Sequence, residues 1–265
     1  MSKCVKNVQG TRYRKYPRSQ DSHKILTHKG VRVAAIYDGH GPKGHIVSQM
    51  VADELTPAIA RAVASKPSDA PGAIKRLFVS YARRKYGVDS RFDESGTTAI
   101  ISVEYGDNVA LVYCGDSQIV YKVNGDIRDT PIHSPAEEHN RLKALNVPVL
   151  MGRVGGQIAV ARAIGDFEFQ KWLDEDDQDR HFVISPLPDI IVLKKSSFQE
   201  NKLVLICDGI VERGLTNTEI WKFSGQPNPC EKIVRAARAS GSSDDMTAIL
   251  PVSYTHLTLP TSFLV

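Results

Sequence analysis

The stretch Val31 to Gly41, VRVAAIYDGHG, constrains this chain more than any other. A run of small and β-branched apolar residues stops abruptly at Asp38, with Gly39, His40 and Gly41 behind it. The run is too short and too β-branched for a helix and reads as a buried strand. Asp38 then stands at the strand's end, where the flanking glycines let the backbone turn tightly and approach a ligand closely. A carboxylate held there is partly desolvated, which is costly unless a cation or a donor partners it. An Asp-Gly pair at a strand end is also an ordinary turn signal. Recurrence separates the two readings. LVLICDG at 203–209 repeats the pattern, Gly-Asp returns at 115–116 and 165–166, and Asp244-Asp245 leads into MTAILPV.

With 265 residues, 42% hydrophobic and 24% charged, the chain has the make-up of a soluble globular protein with one sizeable domain, expected over residues 1–252. No apolar run approaches the ~20 residues that a bilayer span requires. MSKCVKNVQG is polar, without the apolar centre of a signal peptide. Cys4, Cys114, Cys207 and Cys230 lack metal-finger spacing, so reduced thiols and a cytoplasmic or nuclear setting are expected. A net charge of +4 is too small to argue for nucleic acid as a partner. Much of the excess sits in Lys3, Lys6, Arg12, Arg14, Lys15 and Arg18, either a solvated edge or a face toward something anionic.

Apolar spacing predicts a helix over 44–64, interrupted by Pro57, and a second over 73–86 with Gly87 as its stop. TTAIISVEYGDNVALVYCGDSQIVYKVNGDI predicts short strands, with Asn124-Gly125 as a strong hairpin signal. Ser134, Pro135 and Glu137 read as a helix start with a capping box. The acidic run at 173–180 reads as a solvated loop, and Asn228-Pro229 as the opening of a short helix. Short antiparallel strands interleaved with helices point to an α+β chain in which sheet packs against helix. The stretch VSYTHLTLPTS does not fit and reads like a translated sequencing-library adapter, so 253–265 is expected to be a non-native tail.

Asp38, Asp116 and Asp208 thus stand at the ends of predicted strands, Asp244 stands just before one, and Asp21 and Asp166 lie in connecting segments. Strands of one sheet bring such ends together even when they are far apart in sequence. Several carboxylates within a few ångströms do not all ionise in partial burial unless cations neutralise them. Oxygen ligands without a Cys/His pair point to a hard ion, Mg²⁺ or Mn²⁺, rather than zinc. Paired metals bridged by an aspartate are a recurring device for activating water toward phosphorus.

Taken in order, DGHG (38–41), SGTTA (95–99), CGDS (114–117), AVARAIGDF (159–167), CDG (207–209) and DDMT (244–247) resemble the metal-dependent serine/threonine protein phosphatases of type 2C. Any one motif is weak, but six in the right order are specific. The resemblance implies two packed antiparallel β-sheets flanked by helices, an α-β-β-α sandwich. It implies two Mg²⁺ or Mn²⁺ ions, phosphorylated proteins as substrates, a monomer, and a hydroxide held between the ions as the nucleophile. Asp38 would bridge the ions with the Gly39 carbonyl as a further ligand, and Asp208 and Asp244 would hold the first. Asp21 is the expected contact to the second, and Asp116 matches the aspartate that helps hold a third, weaker ion in some members. His40 matches the general acid for the departing alcohol, and Asp166 a motif position near the metal centre. Thr97 and Thr98 are expected to pack in the core.

Three departures from the family pattern stand out. The early motif is stretched to GTRYRKYPRSQD, so Arg12 best fits the phosphate-binding arginine while Arg14 and Arg18 compete with it. Gln20 stands where a glutamate is common, and Asp245 where the family commonly writes asparagine. Ile132-His133-Ser134 replaces the usual Asp-His-Lys, and the short 141–157 segment implies a reduced flap. Two rival readings remain at this point. One is a non-catalytic pseudophosphatase on the same fold. The other is a cysteine-dependent phosphatase, because Cys207 and Arg213 formally satisfy the Cys-x5-Arg spacing.

Overall fold

The structure is a computed structural model that describes residues 4–12, 15–173 and 181–251. Arg14, the acidic run beyond Leu173 and the expected tail from 253 lie outside the described residues. The chain opens with β1 (Cys4–Val8), β2 (Ser22–His28), β3 (Val31–Tyr37) and the short β4 (Gly39–His40). Helices α1 (Gly44–Ser65) and α2 (Ala70–Lys85) follow, then β5 (Gly96–Thr97), β6 (Ala99–Tyr105), β7 (Asn108–Cys114), β8 (Gln118–Val123) and β9 (Asp126–Asp129). Next come α3 (His139–Ala144), a hairpin of β10 (Val149–Leu150) and β11 (Arg153–Val154), β12 (Ile164–Gly165), β13 (Asp189–Lys194) and β14 (Phe198–Ile206). The one-turn α4 (Asp208–Val211), α5 (Asn217–Ser224), α6 (Pro229–Ala239) and β15 (Met246–Leu250) complete the described elements.

Two five-stranded sheets carry the architecture, in the orders β1-β15-β14-β8-β9 and β13-β7-β6-β3-β2. Every pairing within them is antiparallel. Ala34, Ile36, Ile100 and Leu111 of one sheet share a core with Ile119, Val204, Ile206 and Ile249 of the other. The alternate residues Val33, Ala35 and Tyr37 pack instead with Val47, Val51, Leu55 and Ile59 of α1 and Ile74 and Phe78 of α2. On the far side, Ile220 and Trp221 of α5 and Ile233 and Val234 of α6 close over the first sheet. The layers therefore run helix, sheet, sheet, helix, as an α+β sandwich. β3 is apolar on both faces because it has a sheet on one side and helices on the other.

Helix α1 runs through Pro57 rather than stopping there. An interior proline costs about 3 kcal/mol. Val47, Val51, Leu55, Ile59 and Val63 are all fully buried on one face of the helix. Each such side chain contributes roughly 1.5–3 kcal/mol, so packing outweighs the missing bond. Asn124 and Gly125 both take positive φ, 54° and 92°, and close the β8–β9 hairpin as a type I′ turn. The helix expected from Ser134 starts later, at His139. Ser134 Oγ accepts the Glu137 N–H at 3.3 Å within a turn, and the next carboxylate, Glu138, is drawn into ion pairs with Arg141 and Arg162.

The expectation of four reduced thiols is corrected by a Cys4–Cys230 disulfide. The two cysteines are 226 residues apart in sequence, yet β1 pairs with β15 and α6 packs on both, which brings their Cα atoms to 6.0 Å. Cys114 and Cys207 are free and buried.

Backbone approach at the end of the sandwich gives the first testable expectation. A Cβ on Gly209 would sit 1.9 Å from the Asp245 carbonyl oxygen, whereas one on Gly30, at φ +80°, would meet open space. Gly209→Ala should therefore cost about 3 kcal/mol through overpacking, and Gly30→Ala about 1 kcal/mol through backbone strain alone. Denaturant melts of the two variants check this, and equal losses would contradict it.

Candidate active site

The ends of β3 and β14, the β7–β8 turn and the segments leading into β2 and β15 meet at one end of the sandwich, and each delivers an aspartate. Ligand oxygens of Asp38, Asp116 and Asp208 lie within 4.8 Å of one another, and so do ligand atoms of Asp21, Asp38 and Cys207. Asp38 belongs to both clusters. A cleft of about 340 Å³ opens over them, with Arg12, His40 and Asp244 also in its wall and Arg153 and Gln157 on the flap side.

Local sequence explains how Asp38 is held. Its carbonyl accepts the Thr98 N–H at 2.9 Å and the Thr97 hydroxyl at 3.1 Å, so the two threonines clamp the strand end from the core. Gly39 is pressed between the Gly44 and Gln20 carbonyls, and a Cβ there would lie 2.4 Å from the first and 2.6 Å from the second. Only glycine passes this point, and it brings the main chain against the metal-ligand cluster.

Crowding raises every one of these carboxyls. Burial, followed by the charges of Asp245 and Asp208, pushes Asp21 up to about 7. Burial and then Asp208 push Asp116 and Asp244 up to about 7 as well. Asp38 rises well above the usual range through burial and the charges of Asp21, Asp208 and Asp116, and Asp208 rises chiefly through burial. Asp21 Oδ2 accepts the Thr247 hydroxyl at 2.6 Å, but its Oδ1 is buried without a hydrogen-bond partner. An orphaned, desolvated oxygen beside a crowd of carboxyls fits a hard divalent cation. Cys207 Sγ is already engaged, accepting the Thr247 N–H at 3.0 Å and donating to the Asp245 carbonyl at 3.4 Å. The donor set left for an ion is carboxylate.

His40 Nε2 lies 2.8 Å from Asp166 Oδ2. Asp166 reaches it from a left-handed backbone at φ 57°, and a Cβ on Gly96 would collide with both side chains. Burial alone would lower the His40 pKa; the charge and hydrogen bond of Asp166 outweigh it, and the net shift is upward. Arg12 stands at the cleft rim, its Nη1 2.6 Å from Asp244 Oδ2 and its Nη2 on Glu212. Arg18 donates to the His45 carbonyl at 3.0 Å and is not among the residues that line the cleft. Gln20 is buried, with Nε2 donating to the Gly41 carbonyl at 2.7 Å, so its amide organises the loop before α1.

The protein phosphatase 2C family profile matches residues 14–246. The chain belongs to the protein phosphatase 2C family. It is 30% identical over 239 residues to protein phosphatase 2C homolog 2 of Aspergillus fumigatus, covering 81% of this chain and 53% of that protein. The Aspergillus flavus counterpart is 30% identical over 256 residues, covering 88% and 55%. The chain thus spans about half the length of these curated relatives. Among solved structures, a Caenorhabditis elegans sex determining protein superposes with a TM-score of 0.76 at 22% identity, over 95% of this chain and 64% of that one. Serine-threonine phosphatase 2C from Toxoplasma gondii gives 0.73 at 15% identity, over 94% and 93%. At such identities the likeness is one of fold.

Within this 2C family fold the Cys-x5-Arg reading fails. Cys207 is fully buried and its thiol is pushed well above the usual range, first by burial and then by Asp21, Asp38 and Asp208. A thiol held protonated is no nucleophile. Arg213 is half exposed and lies beside Glu212 at 3.8 Å. Sequence reasoning missed Glu212, which follows Asp208 by four residues and so returns to the same helical face. It also left open the partnership of His40 with Asp166, which only the β4–β5–β12 pairing creates.

The raised carboxyls set the pH response of the divalent-free protein. Native Asp21, Asp116 and Asp244 hold protons up to about 7, whereas a free aspartate ionises near 3.8. Between those values the native state binds more protons, so stability is present at low pH and is lost as pH rises toward about 7. Thermal melts in chelator from about pH 5 to 8 should fall in Tm, and added divalent ion should restore it at the high end. A Tm that climbs over this range in chelator would contradict the crowding.

Proposed function

We propose that this chain hydrolyses phosphoserine and phosphothreonine on proteins with two divalent ions, Mg²⁺ or Mn²⁺, and that the residues up to 252 form one catalytic domain. The single-domain reading is supported by β1 pairing with β15, which ties the two ends of the described chain into one sheet. The observation that carries the activity is the carboxylate cluster centred on Asp38: ligand oxygens of Asp116 and Asp208 lie within 4.8 Å of it, and so does one of Asp21, whose Oδ1 is buried without a hydrogen-bond partner.

Asp208 and Asp244 would hold the first ion, Asp21 the second, with Asp38 bridging and the Gly39 carbonyl beside it. Asp116 would serve a third, weaker ion. Bound ions supply an acidified water and neutralise charge on the phosphoryl oxygens. The chain's own residues do the rest. Arg12, whose guanidinium Glu212 and Asp244 hold at the rim, is the cation that would meet the phosphate oxygens. His40, oriented by Asp166 and with its pKa raised chiefly by that carboxylate against the effect of burial, would protonate the departing serine or threonine oxygen. Arg153 and Gln157 of the 141–157 segment also line the cleft, within reach of a bound peptide's flanking residues on this reading.

Hydrolysis of a phosphothreonine peptide should require Mn²⁺ or Mg²⁺ and vanish in excess chelator, and Asp38→Asn should lower turnover by orders of magnitude with the fold intact. Full activity in chelator, or in that variant, would sink the two-ion reading. His40→Ala should cost ~10²–10⁴ in rate on phosphoserine peptides. It should cost far less on a nitrophenyl phosphate, whose leaving group scarcely needs a proton. Equal losses on the two substrates would assign His40 to structure.

A further inference from the structure

Asp245 is not among the residues that line the cleft, yet it is almost fully buried and both of its oxygens are used. Oδ1 accepts the Gly10 N–H at 2.7 Å, and Oδ2 accepts the Gln20 N–H at 2.6 Å. These two donors are the first and last residues of the basic 10–20 segment, so one carboxylate closes the neck of that loop. Other contacts press the same neck against the same turn. The Arg12 N–H donates to the Ser243 carbonyl at 2.9 Å, and a Cβ on Gly10 would lie 2.2 Å from the Asp244 carbonyl carbon. The 243–245 turn therefore delivers Asp244 to the cleft and, one residue on, fastens the loop whose side chain Arg12 reaches Asp244 at 2.6 Å.

The side-chain chemistry at 245 matters. A carboxylate offers acceptor oxygens to both main-chain donors. An amide offers one, and its NH₂ would face the other N–H.

We infer that Asp245 is a positioning residue whose carboxylate latches the 10–20 loop and so sets Arg12 against the substrate phosphate. The inference rests on the phosphatase reading for its last step. Three proteins test it: Asp245→Asn, Arg12→Ala and the double variant. In Asp245→Asn, amide exchange across 10–20 should speed up while β14 stays protected. KM for the phosphothreonine peptide should rise ~10-fold, the scale of one lost charge-assisted hydrogen bond, with kcat little changed. The double variant should show the KM of Arg12→Ala alone, because both changes act through one guanidinium. Unchanged exchange, or KM effects that multiply, would overturn the latch. Should Asp245→Asn fail to fold, wild-type amides decide. Gly10 and Gln20 should exchange ~100-fold more slowly than Lys15, and equal rates would overturn the proposal. A wild-type protein that hydrolyses no phosphopeptide removes the activity and Arg12's role with it. That result is distinct from an active wild type whose Asp245→Asn variant keeps its KM.

Discussion

Mutual repulsion among five aspartates is the interaction on which the rest of this molecule depends. Ligand atoms of Asp38, Asp116 and Asp208 are within 4.8 Å of one another. At that distance two full charges repel by roughly 3–4 kcal/mol at an effective dielectric of about 20. A flexible chain would relieve this by moving apart. Here the carboxylates hang from two sheets locked face to face by Ile36, Ile100, Leu111, Val204, Ile206 and Ile249, so relief comes through protonation or through a cation. Raised carboxyl pKa values and affinity for divalent ions are two expressions of one rigid geometry.

That rigidity is reinforced where backbone meets backbone. Gly39 passes between the Gly44 and Gln20 carbonyls, Gly209 lies against the Asp245 carbonyl, and Gly10 lies against Asp244. Each contact brings a ligand-bearing turn closer than any side chain would allow. The arrangement removes adjustable side chains from between the turns.

The ends of the described chain are part of this frame. β1 pairs along its length with β15, the Cys4–Cys230 disulfide fastens β1 to α6, and the 10–20 loop returns to the turn before β15. Arg12 is consequently held from two sides, by its own main chain on Ser243 and by Glu212 and Asp244 at its guanidinium. The Arg12 cation is thereby fixed at the cleft rim.

The sequence by itself determined the aspartates and their strand-end placement. An apolar β-branched run that stops at Asp-Gly leaves the backbone few options, and the recurrence at Asp208 made convergence legible. Local rules of this kind also settled the Asn124-Gly125 hairpin and the helical faces of α1 and α2. They failed where distant contacts outvote them. Pro57 stays inside α1 because five buried aliphatic side chains outweigh one missing hydrogen bond. The helix expected at Ser134 yields to ion pairs that Glu138 makes with Arg141 and Arg162. Only the tertiary structure decided the partner of His40, the ion pairs that hold Arg12 at the cleft rim, the Cys4–Cys230 link and the double duty of the Asp244-Asp245 turn. Each joins residues separated by tens or hundreds of positions, and no local periodicity encodes a contact between strands that meet only once both sheets have formed.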